Sequence, residues 1–288
     1  MTNIHGSGMP TSNPNLLDNP WSQINQRGKT EYIGKVYGVD RWFAQNNMEK
    51  VVVQDSYVTL VPGTDYSSFA QHIERFSELA NKTVTLSAIV RGVAGQCVGL
   101  YINPWDYGDG VYLTGANWQL ISVTMNLANL ARCEIAIYAD RSGNKNRLDV
   151  RAVKLELGPA STLAYDAPPN YQQELAKCQR YFYSTLNNDG ERGALSREAF
   201  NVSTANISYG SGAEFPVEMR TVPTITLYSG VSRTAGKVAY GTDGADCVGL
   251  AEAQFVGKTG FRQIRILDDP HMPGNQASFH YTADAEIY

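Results

Sequence analysis

Apolar side chains recur at every second position through much of this chain. Val84, Leu86, Ala88 and Val90 share one side of a segment whose other side is Thr85, Ser87 and Ile89. In the next such stretch Trp118, Leu120, Ser122 and Thr124 oppose Gln119, Ile121, Val123 and Met125. Period two puts successive side chains on opposite faces of an extended strand, so both segments are predicted strands. Glu134–Tyr138 and Leu148–Leu157 add two more, and Gly/Asn/Asp turns between them suggest a sandwich or jelly roll. The same alternation closes the chain, with Phe279, Tyr281, Ala283, Ala285 and Ile287 against Ser278, His280, Thr282, Asp284 and Glu286. Val202–Tyr209, Thr221–Tyr228, Ala251–Val256 and Phe261–Leu267 are candidate partners for that last strand.

Helical spacing is rare. Asn170 can cap a helix beginning at Tyr171, with Gln173 three residues on to reach back. Tyr171, Leu175, Cys178 and Phe182 then form an apolar stripe that could pack on the chain's own sheet or on copies of itself about a symmetry axis. Residues 67–82 satisfy two patterns, since Phe69, Ile73, Phe76 and Leu79 approach helical spacing while Phe69–Glu74 also alternates. Pro and Gly punctuation places the domain junction in residues 158–170. The predicted organisation is a flexible leader over 1–14, a β module over 15–165, and a helix plus second β module over 166–288.

Composition narrows the function. A formal charge of −4 with no Lys/Arg run argues against a nucleic-acid binder, which needs a basic stripe to neutralise phosphates. No apolar stretch approaches the ~20 residues that insert across a bilayer. The first 14 residues lack the basic start and apolar run of a signal peptide, so folding in a cytoplasm is expected. Cys97, Cys133, Cys178 and Cys247 lack the close spacing of zinc or redox motifs and read as buried thiols.

Several local strings resemble a known family. Asn15–Trp21, Asn25–Gly28 and Val39–Trp42 resemble the start of carbohydrate-binding-like jelly rolls in bacteriophage tail fibres, and Val153–Gly158 with Ser161–Leu163 resembles that module's closing strand. Tyr171–Tyr183 resembles the segment that follows it in phage and prophage tail proteins. Phe215–Arg220, Val222–Ile225 and Ala283–Glu286 are similar to the C-terminal domain of the same proteins. These are framework positions, informative about architecture and weak about ligand. The resemblance implies an all-β chain: an N-terminal jelly-roll β-sandwich, one short linking helix and a C-terminal antiparallel β-sandwich. It also implies a homotrimeric receptor-binding protein of the virion, assembled in the bacterial cytoplasm and adhering to a host-surface receptor, polysaccharide for preference. The leader would meet other tail proteins. For the ambiguous segment it implies a strand over Ala70–Glu74, then a helical turn near Phe76–Ala80.

The candidate ligand contacts follow from sugar chemistry. Trp105 and Tyr107 beside Asn103, Asp106 and Asp109 would offer flat apolar faces next to hydrogen-bonding groups, matching a sugar's apolar ring face and polar rim. His271, in the loop Asp268–Gly274, is a second candidate contact. Trp21, Trp42 and Trp118 read as core, and His280 as a surface residue on a polar strand face. No cofactor is expected. Asp106 and Asp109 supply oxygens calcium would accept, without the dense acidic spacing of an EF-hand, so a structural calcium is the one metal the family resemblance leaves room for. The rival functions are a structural tail component that touches no receptor, and a glycan depolymerase. Cleavage would need paired carboxylates, and the nearest pairs, Asp106 with Asp109 and Asp268 with Asp269, lie in Gly/Pro-rich turns where Asp is ordinary. The expectation is therefore binding without catalysis.

Overall fold

The computed structural model describes residues 12–64, 66–103, 107–128, 132–186, 194–201, 207–240, 244–267 and 275–287, with the backbone alone at 194–201 and 275–276. Two units emerge: the described residues through Asn25 with Lys29–Glu174, and Gln26–Gly28 with Leu175 onward.

The first unit is a jelly-roll β-sandwich. Its strands are β1 (Glu31–Ile33), β2 (Phe43–Gln45), β3 (Met48–Val53), β4 (Val58–Pro62), β5 (Ser68–His72) and β6 (Thr83–Arg91). They continue with β7 (Cys97–Ile102), β8 (Tyr107–Tyr112), β9 (Gln119–Asn126), β10 (Glu134–Tyr138) and β11 (Leu148–Leu157). One sheet runs β1-β3-β4-β11-β6-β9 and the other β2-β5-β10-β7-β8, every neighbour antiparallel. The alternation seen in the sequence builds the layer between them. Val84, Leu86, Ala88 and Val90 from one sheet meet Val98, Leu100, Ile102, Ile135 and Ile137 from the other. Burying each such aliphatic side chain is worth about 1.5–3 kcal/mol. The segment with two patterns resolves as β5 followed by a 3₁₀ turn at Phe76–Leu79.

The strings resembling a phage module turn out to be framework. Trp42 is fully buried, stacks on Phe69 at 4.7 Å, and donates its indole N–H to the Asn19 carbonyl at 2.9 Å. Asn19 donates from Nδ2 to the carbonyls of Ile24 and Asp40, and so pins the turn between them. Beyond Val150 one edge of β11 is taken over by residues 13–20, through Leu16 N–H to Leu155 O, Val153 N–H to Pro20 O and Asn15 Nδ2 to Val153 O. Lys154 and Glu156 point outward from β11 and are fully buried beneath this strap and residues 159–166. Lys154 Nζ donates to Ser12 Oγ (2.6 Å), Thr162 Oγ1 (2.9 Å) and Asp166 Oδ1 (2.9 Å), and Thr162 donates to Glu156 Oε2.

The helix α1 covers Tyr171–Gln179, and Asn170 Oδ1 accepts the Gln173 N–H at 3.1 Å, as its capping pattern predicts. The four-residue stripe is not one helical face. Tyr181 N–H turns onto Cys178 O and ends the helix, leaving Phe182 in an extended segment. Glu174 and Cys178 are the buried helix positions, while Tyr171 is exposed and Leu175 half-buried. Glu174 is buried because its carboxylate accepts the Asn19 N–H at 2.5 Å.

The second unit is antiparallel β. Its strands are β12 (Phe182–Ser184), β13 (Ala194–Asn201), β14 (Ser208–Glu214), β15 (Thr224–Ser229), β16 (Ala239–Tyr240), β17 (Ala251–Val256), β18 (Gly260–Ile266) and β19 (Asn275–Asp284). The order is β12-β19-β13-β14-β18-β17, with β15 and β16 also on β19. Phe279, Tyr281, Ala283 and Ala285 enter a core with Phe261, Ile264 and Leu227, as the terminal alternation predicts. Of the strand expected over Val202–Tyr209, residues 202–206 lie outside the described residues, and Ser208 and Tyr209 open β14. His280 departs from its expected surface position. It is fully buried, with Nδ1 2.8 Å from the Thr185 carbonyl, because β19 is paired along both edges and its polar face is covered as well.

Candidate functional site

The outer face of the five-stranded sheet collects the side chains that are out of phase with the core. From β7 these are Cys97, Gly99 and Tyr101; from β8, Gly108, Gly110 and Tyr112; from β10, Glu134, Ala136 and Tyr138; from β5, Ser68, Ala70 and His72. β2 adds Phe43 opposite Ala70 and Gln45 opposite Ser68.

Glycine makes room for the aromatic ring at the centre. A Cβ on Gly99 would lie 2.8 Å from Tyr101 Cε2, and one on Gly108 would lie 2.6 Å from Tyr101 Cδ1. Tyr101 therefore lies across bare backbone. It meets Tyr138 edge-on at 5.4 Å, and its hydroxyl accepts a hydrogen bond from Arg141 Nη1 at 2.8 Å. The Arg141 guanidinium sits 5.1 Å from the Tyr101 ring centre and 5.6 Å from that of Tyr138. Burial pushes the Tyr138 hydroxyl up to about 12, and desolvation also raises the Cys97 thiol. On the other side of Ala136, Gln45 Nε2 donates to Glu134 Oε1 at 2.6 Å, and Glu134 Oε2 faces His72 Nε2 at 3.5 Å. Ser68, Ala70, Ala136 and Tyr138 of this face are fully buried, so the rings open to a flat ligand are Tyr101, half-buried, and Tyr112, exposed, with the guanidinium of Arg141 and the Gln45–Glu134–His72 cluster near enough to hydrogen-bond its rim.

The residues singled out in the sequence are distributed differently. Tyr107 turns inward: its ring packs on the core and its hydroxyl accepts the Ala128 N–H at 3.0 Å, because it shares the phase of Ile102, its partner across the strands. Asn103 is structural, with φ of 45° and Oδ1 accepting the Glu134 N–H at 3.2 Å. Asp109 is exposed and turned onto its neighbour, Oδ1 accepting the Gly110 N–H at 2.7 Å. Trp105, Asp106, His271 and the pair Asp268–Asp269 lie outside the described residues. Among the described residues no group of three or more His, Cys, Asp or Glu side chains is placed to hold a metal, and no helix is long and apolar enough to cross a membrane. All four cysteines are buried. Of the tryptophans read as core, Trp42 is, whereas Trp21 and Trp118 are half-buried.

Tyr101, Tyr112 and Arg141 on this face are not among the residues that the sequence pattern singles out. The period-two phase held the signal for the first two, since Tyr101 stands opposite to Val98, Leu100 and Ile102. Arg141 lies outside any strand and had no sequence signal.

The sequence matches no protein-family profile and no curated protein. Solved structures are similar to parts of the chain at low levels. A CBM4 structure is 20% identical over 49% of this chain and 99% of its own, with a TM-score of 0.35. The CBM22-1 xylan-binding domain from Paenibacillus barcinonensis Xyn10C is 12% identical over 53% of this chain and 100% of its own, with a TM-score of 0.37. The enzymatically active domain of bacteriophage CBA120 tailspike protein 4 is 14% identical over 50% of this chain and 21% of its own, with a TM-score of 0.33.

Proposed function

We propose that this protein is a bacteriophage tail-fibre or receptor-binding protein that adheres to host-surface glycans without cleaving them. The observation that supports glycan binding is the outer face of the five-stranded sheet, where Tyr101 lies over Gly99 and Gly108 between Arg141 and the Gln45–Glu134–His72 cluster. Stacking plus directional hydrogen bonds is the chemistry by which proteins hold sugar rings. The phage assignment rests on the framework strings Asn15–Trp21, Val153–Gly158 and Tyr171–Tyr183. A homotrimer, a place in the virion tail and attachment to other tail proteins through residues 1–14 belong to the same proposal. In a trimer, three weak sites on one fibre gain effective concentration. Any helix contribution to a trimer contact falls to Tyr171 and Leu175, since Cys178 and Phe182 are already buried.

The test is retention of the full chain on a panel of immobilised neutral polysaccharides. Tyr101→Ala with Tyr112→Ala is expected to weaken retention by about tenfold or more, the loss typical of truncating aromatic anchors. Unchanged retention would sink the assigned face, and release of reducing ends would sink the non-catalytic reading. A clean monomer by light scattering at micromolar concentration would remove the trimer.

A further inference from the structure

The opposite layer of the sandwich carries a second group of aromatic and charged side chains. On the outer face of the six-stranded sheet, Thr59 of β4, Asp149 of β11 and Arg91 of β6 stand in one cross-strand row. Arg91 donates from Nε and Nη2 to Asp149 Oδ2 at 2.9 and 2.5 Å, and Thr59 Oγ1 donates to Oδ1 at 2.7 Å. These residues line a cleft of about 530 Å³ with Val93, Asn146 and Arg147. Beside it Trp118 meets Tyr57 edge-on at 5.5 Å, and the guanidiniums of Arg151 and Arg91 sit 4.0 and 4.7 Å from the Trp118 ring centre.

Three features mark this as a built surface. First, β11 is bulged between Val150 and Ala152, so Arg151 is an inserted residue whose side chain goes out to Trp118. Bulges of this kind re-aim a side chain at the cost of a ladder position. Second, both lips of the cleft are tied to one buried amide. Gln96, 1% exposed, accepts the Val93 N–H at Oε1 and donates from Nε2 to the carbonyls of Ala139, Asn146 and Arg147. Asp140 braces the same loop by accepting the N–H groups of Ser142 and Asn146. Third, the charge is unbalanced. Arg91 is committed to Asp149, whereas Arg147 and Arg151 make no side-chain hydrogen bond or ion pair with described residues. A guanidinium stacked on an indole keeps its in-plane donor fork directed outward, the geometry that takes a carboxylate bidentately.

We infer that this cleft binds a uronic acid residue of an acidic polysaccharide. The carboxylate of the residue in the cleft goes to Arg147 and that of an adjoining residue to Arg151 beside Trp118, while ring hydroxyls go to Asn146, Thr59 and Asp149. A carboxylated sugar suits the site better than a phosphate-rich polymer because the two uncommitted guanidiniums stand beside neutral or ion-paired groups, Asn146, Thr59 and Asp149, that hydrogen-bond hydroxyls. The site shares no residue with the face around Tyr101 and does not depend on it.

The probe is tetragalacturonate titrated into the full chain by calorimetry, with xylotetraose and inorganic phosphate as comparators. Binding is expected to weaken as salt rises from about 0.05 to about 0.5 M, since exposed charges are screened. Arg151→Gln and Arg147→Gln should each lower affinity at least about tenfold, and Arg151→Lys should fall between, keeping charge but losing the fork. Both side chains reach solvent, so an unchanged melting temperature separates lost binding from lost fold. The chain with Tyr101→Ala and Tyr112→Ala should still bind tetragalacturonate. No binding at millimolar probe, equal binding of xylotetraose, displacement by phosphate at equal concentration, or indifference to the combined Arg147→Gln/Arg151→Gln change would each overturn the assignment.

Discussion

Replacing Lys154 by methionine removes the central donor of the buried clasp on β11. In the native chain its ammonium is fully buried, donates to Ser12, Thr162 and Asp166 at 2.6–2.9 Å, and lies 3.8 Å from the Glu156 carboxylate. Glu156 is also fully buried and has Thr162 as its remaining partner, while Asp166 keeps contact with Ser12. Removing one member of such a cluster leaves an uncompensated buried charge, which costs about 3–5 kcal/mol. With a urea slope of about 2–3 kcal/mol per molar, the unfolding midpoint should fall by about 1–2 M at unchanged slope. Trp21, Trp42, Trp105 and Trp118 all precede the division between the two units, so tryptophan fluorescence reports the first one. The double change Lys154→Met/Glu156→Leu should recover most of the loss, because a well-packed apolar pair dispenses with both desolvation costs. A shift below about 0.3 M for Lys154→Met would refute the clasp as a main tie between the strap and β11.

Two further outcomes follow from the five-stranded face. Gly99→Val places a branched side chain within 2.8 Å of Tyr101 and 3.0 Å of Arg141 and Tyr138, so it should cost about 1–3 kcal/mol in urea unfolding and displace the Tyr101 ring. A loss under about 0.5 kcal/mol would show that the ring does not lie on that glycine. Burial disfavours the phenolate of Tyr138, so its folded value of about 12 stands above the ordinary value near 10. Its contribution to stability is then whole below pH ~10 and lost as pH rises toward ~12. Burial also raises Tyr183 and Tyr281, so absorbance at ~295 nm should show a lagging tyrosine class that shrinks by about one tyrosine in Tyr138→Phe; a titration unaltered by that change would count against its burial.

Local patterns of apolar and polar residues suffice for the class of fold and most of its elements. Strict alternation in β6 and β19 leaves one face apolar, and such a segment has one low-energy register against a core. The cap at Asn170 and the strand at β5 were legible for similarly local reasons. Which side chains each sheet face presents follows only from how the strands pair. Whether Tyr107 or Tyr101 faces out depends on which phase of a neighbouring strand carries the core. The pattern of a single strand puts Trp118 in the core and His280 at the surface because it does not say whether the strand's second face is covered. The strap over Lys154 and Glu156, the amide of Gln96 joining two loops, and the bulge that sends Arg151 to Trp118 all join residues tens of positions apart or depend on register between strands. Those couplings are set by how the sheets pair, and no local pattern encodes them.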